Sequence, residues 1–290
     1  MEKIDNNTDN SPSNVKEKSL VNLPVLSKRL QAVADMVDKG SKIADVGTDH
    51  GFVPIYLVGS GKVNQAIAMD VRKGPLDRAR QNVAEYGLED KIMLRLSDGL
   101  EKLSQGEADE MICAGMGGPL MVKILEEGNP REKRLKYLIL EPQSDILCFR
   151  KYLRKNGYSI ISEKFIEEDG KYYPVIKAEC SDLSCKENLS EIYEKAADFL
   201  MTNLQKNGRE TSFEQAVRIC DRFGPCIIMY SCTRKDEGKR SDLYRFLMHS
   251  NRVCDTILYK IKDTTTTEKM LRIKEINEEK SDIEAILSLL

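Results

Sequence analysis

Between Leu23 and Cys180, short apolar or β-branched runs alternate with amphipathic stretches, and this alternation constrains the fold more than any other feature of the chain. Residues 43–47, 65–70, 92–96, 110–114 and 137–141 read as strands, with helical segments at 53–59, 75–86, 120–127 and 146–156 between them. A helix inserted between successive strands makes βαβ units, and those assemble into a mostly parallel sheet covered on both faces. The pattern changes at its end. Residues 159–165 and 173–178 flank Glu168-Asp169-Gly170, a turn sequence that favours a hairpin and therefore antiparallel strands at one edge. The expected fold class is α/β, a mostly parallel sheet with an antiparallel edge hairpin, followed by helices.

The boundaries follow from shifts in composition. Residues 1–22 are polar and of low complexity and are expected to form a disordered tail. Residues 23–180 make the α/β domain and 181–290 an all-helical domain, because the strand signal fades after Cys180. Leu243, Leu247, Ser250, Cys254, Ile257 and Ile261 step alternately by four and three, as do Ile273, Ile276, Lys280, Ile283, Leu287 and Leu290. Joined by Asp263 to Thr267, the two arms predict an antiparallel coiled-coil hairpin. Such a hairpin is also able to pair with a second chain, so monomer and weak homodimer both stay open. The stretch from Asn188 to Gly224 has helix-forming composition and no further signal.

Composition excludes several classes. No apolar run approaches the ~20 residues that span a bilayer, and the first twenty residues carry no apolar signal core, so no membrane is expected and the cytoplasm is the expected location. Eight cysteines at irregular spacing read as reduced thiols. Cys220, Cys226 and Cys232 recur every six residues, but without C-x-x-C pairs and with His50 and His249 as the sole histidines no metal site is expected. Basic and acidic residues balance at 45 against 47, so any nucleic-acid surface must be local. Two clusters qualify: Arg234, Lys235, Lys239, Arg240, Arg245 and Arg252 in one, Lys16, Lys18, Lys28 and Arg29 in the other.

The chemistry concentrates where the first strand gives way to the first helix, at Asp45-Val46-Gly47-Thr48-Asp49-His50-Gly51. Glycines there permit a sharp turn and close approach of a ligand to the positive end of the helix. The next strand ends in Asp70, where a carboxylate can accept hydrogen bonds from both ribose hydroxyls, and the third is followed by Ser97-Asp98-Gly99, placing Asp98 where an adenine amino group is read. A dinucleotide fingerprint needs glycine where Asp49 stands, and a carboxylate there repels pyrophosphate. S-adenosylmethionine has no phosphate and carries a sulfonium and an ammonium, so acidic residues accommodate it. Gly59-Ser60-Gly61-Lys62 imitates a phosphate-binding loop, but Tyr56 and Val63 occupy its required glycine and hydroxyl positions, and it reads as a helix end. After the fourth strand, Ala114-Gly115-Met116-Gly117-Gly118-Pro119 leaves open space and free amides in place of the Asn/Asp-Pro-Pro-aromatic clamp of adenine-amino methyltransferases. Glu141-Pro142-Gln143 offers further polar groups to the same crevice, Gln143 foremost.

Leu26-Ser27-Lys28-Arg29-Leu30, Asp45 to Gly51, Ala114 to Gly118 and Glu167-Glu168-Asp169-Gly170-Lys171 together resemble the TrmK-type bacterial tRNA (adenine-N1)-methyltransferases. The resemblance implies a Rossmann-like class I methyltransferase sheet, S-adenosylmethionine as cofactor, adenine 22 of tRNA as target, and a helical appendage that helps hold tRNA. It assigns Asp49 as the catalytic aspartate, Arg29 as a basic residue near the target base and His50 as its neighbour. Cofactor-binding positions are then Asp45, Gly47, Gly51, Asp70, Asp98, Ala114, Gly115, Met116 and Gly117, with Arg29, His50, Tyr56 and Gln143 on the substrate side. Asp49 has two open roles, stabilising the cationic product or accepting a proton from the exocyclic amine. Tyr56, Phe52 and Arg29 are candidates for a shelf under an extruded base, with Phe52 expected in the core. Two alternatives stand beside this reading: a methyltransferase of the same fold acting on another RNA, a protein or a small molecule, and a catalytically idle protein that recruits partners through its hairpin.

Overall fold

The structure, a computed structural model, describes residues 23–180, 190–234, 241–262 and 266–290. The tail at 1–22, with Lys16 and Lys18, lies outside them. Strands β1 (Lys42–Val46), β2 (Gln65–Asp70), β3 (Ile92–Leu96), β4 (Glu110–Met116), β5 (Tyr137–Pro142), β6 (Ser159–Glu168) and β7 (Lys171–Glu179) form one sheet in the order β3-β2-β1-β4-β5-β7-β6. Neighbours from β3 to β5 pair in parallel, whereas β7 runs antiparallel to both β5 and β6. The hairpin across Asp169 and Gly170, both at positive φ, is present. One detail departs from a simple antiparallel edge. β7 slots between β5 and β6, so a single reversed strand sits one place in from the edge and β6 is outermost.

Helices α1 (Lys28–Met36), α2 (Phe52–Gly59), α3 (Lys73–Glu85), α4 (Gly118–Gly128) and α5 (Ile146–Lys155) flank the sheet. Period-two alternation sends residues of one strand to opposite cores. Ile43, Ala66 and Ala68 join the layer built with α1 and α2, whereas Ala44, Val46, Ile67 and Met69 join the other. Helix α1, for which the strand pattern gave no signal, opens on Ser27, whose hydroxyl accepts from Leu30 N. That helix carries Arg29 to the mouth of the crevice described below. Gly59 closes α2, and Lys62 Nζ donates to Ala34 and Asp35 carbonyls, as befits a helix end.

After Cys180 come α6 (Glu191–Lys206), α7 (Phe213–Phe223), α8 (Pro225–Thr233), α9 (Asp242–Ile261) and α10 (Thr267–Leu287). Their apolar faces extend the second core without a break. The Asn188 to Gly224 stretch therefore becomes, where described, two helices locked to the sheet by buried polar groups. Arg150 on α5 and Glu163 on β6 pair at 2.7 Å with side chains 1% and 0% exposed. Glu163 also accepts from Cys226 N, and Asp221 on α7 accepts from Arg154 and from the Tyr193 hydroxyl. Each of these buried charges is partnered, which its desolvation requires. Asp282 on α10 is likewise buried and takes both Arg218 and Arg222.

Helices α9 and α10 pack on each other, tied by Lys280 and Asp255. Of the positions read as their seam, Leu243, Leu247, Cys254, Ile276 and Ile283 are buried. Residues 235–240 and 263–265 lie outside the described set, and with them much of the first basic cluster and most of the predicted connection. No described helix is long and apolar enough to cross a membrane.

Candidate cofactor and methyl-transfer site

Parallel strands expose their carboxyl ends along one rim, and the crevice opens where the strand order reverses, between β1 and β4. A cavity of about 570 Å³ lies there. It collects Asp45, Gly47, Asp49, His50 and Gly51 from β1 and its following loop, with Asp70 and Asp98 from the ends of β2 and β3. Ala114, Gly115 and Met116 from β4, Gln143 after β5 and Arg29 from α1 complete the predicted set. Of the fourteen positions named from sequence, Tyr56 and Gly117 do not line it. Tyr56 sits one turn into α2, and its hydroxyl accepts from Gln31 on α1, so it ties two helices together. Gly117 is the N-cap of α4, and an added Cβ there would meet Ser144 Oγ at 2.9 Å. Phe52 corrects an expectation too. It is 39% exposed at the cavity, and its ring stacks on His50 at 5.6 Å, because the αL turn at Gly51 aims the first residue of α2 outward.

The loop geometry is demanding. Gly47 has φ +79, and its amide and that of Thr48 both donate to Met69 O, at 2.8 and 2.9 Å. A Cβ on Gly47 would stand 1.9 Å from the Met116 methyl, so the Met116 side chain lies close against this turn in space that a Cβ would take. Gly51, at φ +73, packs against Ala79 on α3. His50 is itself held at φ 31 by its carbonyl, which accepts from Asn82.

Electrostatics divide the cavity into two regions. At the β1–β3 side, Asp45 and Asp70 are buried and Asp98 is exposed. Burial, reinforced by the Asp70 charge and partly offset by Thr48, pushes Asp45 up to about 6. Asp70 accepts from Arg72 N at 2.7 Å. The Thr48 hydroxyl is buried beside Asp45 in the lining of the cavity. Asp49 faces the cavity rim exposed, with Arg78 at 2.9 Å and His50 at 3.5 Å. At the β4–β5 side, fully buried Glu141 accepts from Gly115 N at 2.7 Å and from Arg29 at 2.8 Å. Thr48 and Glu141 stood within stretches already singled out by sequence. Arg78 did not, since nothing local marks a residue two turns into α3 as a partner of the loop.

These acceptors suit a nucleoside with a cationic tail. Paired acidic groups at β1 and β2 favour hydroxyls and positive charge over phosphate, and Arg78, which reaches this loop, is paired with Asp49. Among the described residues no cluster of three or more His, Cys, Asp or Glu is placed to hold a metal ion.

Sheet order and site together define a Rossmann-like methyltransferase, and residues 26–176 match a family model described as a methyltransferase domain. Over 157 residues the chain is 43% identical to a Bacillus subtilis tRNA (adenine(22)-N(1))-methyltransferase, an alignment that covers 54% of this chain and 66% of that relative, just under two thirds of its length. The crystal structure of the B. subtilis m1A22 tRNA methyltransferase TrmK superposes with a TM-score of 0.66 at 30% identity, covering 91% of this chain and 99% of that one. A Streptococcus pneumoniae protein solved in complex with S-adenosyl-L-methionine gives a TM-score of 0.67 at 26% identity, covering 91% and 100%. The chain belongs to the methyltransferase-domain family and, within it, to the TrmK type.

Proposed function

We propose that this chain is an S-adenosylmethionine-dependent methyltransferase of the cytoplasm that modifies N1 of adenine 22 in tRNA. The observation that carries the reading is the single cavity in which Asp45, Gly47, Asp70 and Asp98, each at a strand's carboxyl end, meet Gly115 and Arg29. The names of the relatives point the same way.

S-adenosylmethionine supplies an electrophilic methyl group on a sulfonium. Asp70 would hold the ribose hydroxyls, Asp98 the adenine edge, and Asp45 with Thr48 the cationic tail. That assignment leaves the β4–β5 side, around Gly115, Arg29 and Gln143, for the target base. Adenine N1 has an in-plane lone pair and no proton, so positioning in line with the methyl supplies most of the rate. Asp49 stands at the rim with an exposed carboxylate, able to favour the positive charge that develops on the ring or to accept a proton from the amine. His50 stacked on Phe52 presents an aromatic shelf for an extruded base. For tRNA phosphates, exposed Lys28 opens α1 beside Arg29, and Arg245 and Arg252 lie on α9.

The direct test incubates an unmodified tRNA transcript with isotopically labelled cofactor and locates the product. Label on N1 of adenine 22 is expected. Label elsewhere, or on a small molecule or protein in preference to tRNA, overturns the assignment.

The raised Asp45 yields a pH dependence. A group whose carboxyl titrates near 6 in the free protein is largely neutral at pH 5, and binding of a cation beside it favours the ionised form. Cofactor affinity should therefore weaken about tenfold from pH 7 to pH 5. Calorimetry on wild type and Asp45→Asn checks this. The variant should bind more weakly at pH 7 and lose the slope, and an equal slope in both removes Asp45 from the cation's vicinity.

A further inference from the structure

Glu141 is the most deeply buried carboxylate near the cavity, at 0% exposure, and one of its oxygens is used twice. Oε2 accepts from the Gly115 amide at 2.7 Å and from Arg29 Nη1 at 2.8 Å, while Oε1 has no hydrogen-bond partner among the described residues. A buried carboxylate oxygen left unpaired destabilises the fold, so a merely structural role accounts poorly for it. Both groups that Glu141 grips line the cavity on the side away from Asp70 and Asp98. Arg29 is further confined by Tyr173, whose ring centroid lies 5.2 Å from the guanidinium carbon, and by Glu168 at 4.0 Å. A Cβ on Gly115 would lie 3.8 Å from both Arg29 and Gln143, which shows how closely these groups converge.

We infer that Glu141 is a positioning residue for methyl transfer: it clamps the Arg29 guanidinium and the Gly115 amide at the target-base side of the cavity and cancels the charge of Arg29 there. This rests on the reaction proposed above. In that step the S–CH3 bond breaks with its electron pair left on sulfur, while the N1 lone pair forms the new N–CH3 bond, so positive charge moves from the sulfonium to the base. A lone arginine beside the base would oppose that movement. Paired with Glu141 and flanked by Glu168, the guanidinium keeps its planar donors for orientation without opposing the charge that arrives.

The experiment compares wild type, Glu141→Gln, Arg29→Gln and the double variant. Three quantities are read: single-turnover transfer to a tRNA transcript, S-adenosylmethionine affinity by calorimetry, and nuclear magnetic resonance of the arginine side-chain N–H groups in 15N-arginine protein without cofactor. In Glu141→Gln, transfer should fall about 10- to 100-fold with cofactor affinity within about threefold, and the restrained Arg29 signals should become rotationally averaged. Because Glu141 acts through Arg29, the double variant should be no slower than Arg29→Gln within about threefold. Additive losses, an unchanged rate, or a loss carried entirely by cofactor affinity overturn the inference. Should Glu141→Gln not fold, Arg29→Lys decides the matter: it keeps the charge without the fork, is expected to slow transfer about tenfold at unchanged cofactor affinity, and a full rate refutes the clamp. A wild type that transfers no methyl to tRNA defeats the proposed reaction, whereas an active wild type with an equally active Glu141→Gln defeats the clamp alone.

Discussion

Replacing Asp49 with asparagine should lower single-turnover methyl transfer by about 10²- to 10³-fold while cofactor affinity stays within about threefold of wild type. The carboxylate occupies the rim of the cavity, exposed and at 2.9 Å from Arg78, so it contributes nothing to the core and its removal leaves the fold intact. Its effect comes from charge. A carboxylate about 4 Å from a ring that gains a positive charge contributes roughly 4 kcal/mol at an effective dielectric of 20, which sets the upper end of that range, and the Arg78 countercharge, with the openness of the rim, draws the effect toward its lower end. Asparagine keeps the shape and hydrogen-bonding reach, so a large loss identifies the negative charge or the proton acceptor as the working feature. Rapid-quench transfer to a tRNA transcript, with cofactor titrations alongside, measures both terms. Wild-type transfer by Asp49→Asn would remove this residue from the chemistry and leave Glu141 and Glu168 as the negative groups nearest the target base.

What could be read in advance divides along a physical line. Local sequence dictates whether a segment is extended or helical, and strands β2 and β3 fall on the residues their β-branched and apolar runs mark, because side-chain alternation is a short-range property. The turn at Glu168-Asp169-Gly170 announces a hairpin but holds no information on which of its strands meets β5, since that depends on pairing across the whole sheet. The site follows the same division. Asp45, Asp70 and Asp98 converge because each ends a parallel strand, which topology guarantees once the strands are placed. Tyr56 is close to the loop in sequence, yet the pitch of α2 turns it toward Gln31. Arg78 and Asp49, or Arg150 and Glu163, are pairs formed by docking of separate elements, and no spacing along the chain encodes them. The Asn188 to Gly224 stretch was opaque for that reason: buried Tyr193 and Asp221 have meaning only against Arg154 on α5.

Gly47→Val should abolish measurable cofactor binding, with affinity down at least about 100-fold, and should cost about 2–4 kcal/mol in stability. Two effects act together. At φ +79 any β-branched residue is strained, and the strand cannot relax because the Gly47 and Thr48 amides are both bonded to Met69 O. The new Cβ would also fall 1.9 Å from the Met116 methyl, so that flexible side chain must swing away while valine's branches enter the space a ligand needs. Gly61→Ala separates the two contributions. Gly61 has φ +71 but nothing within 4 Å of an added Cβ, so its substitution should show the conformational cost alone, about 1–2 kcal/mol, with cofactor affinity unchanged. Chemical denaturation and calorimetry on both variants give the comparison. If Gly47→Val bound the cofactor as wild type does, the nucleoside would have to lie away from the β1 turn, and the row of strand-end carboxylates would need another purpose.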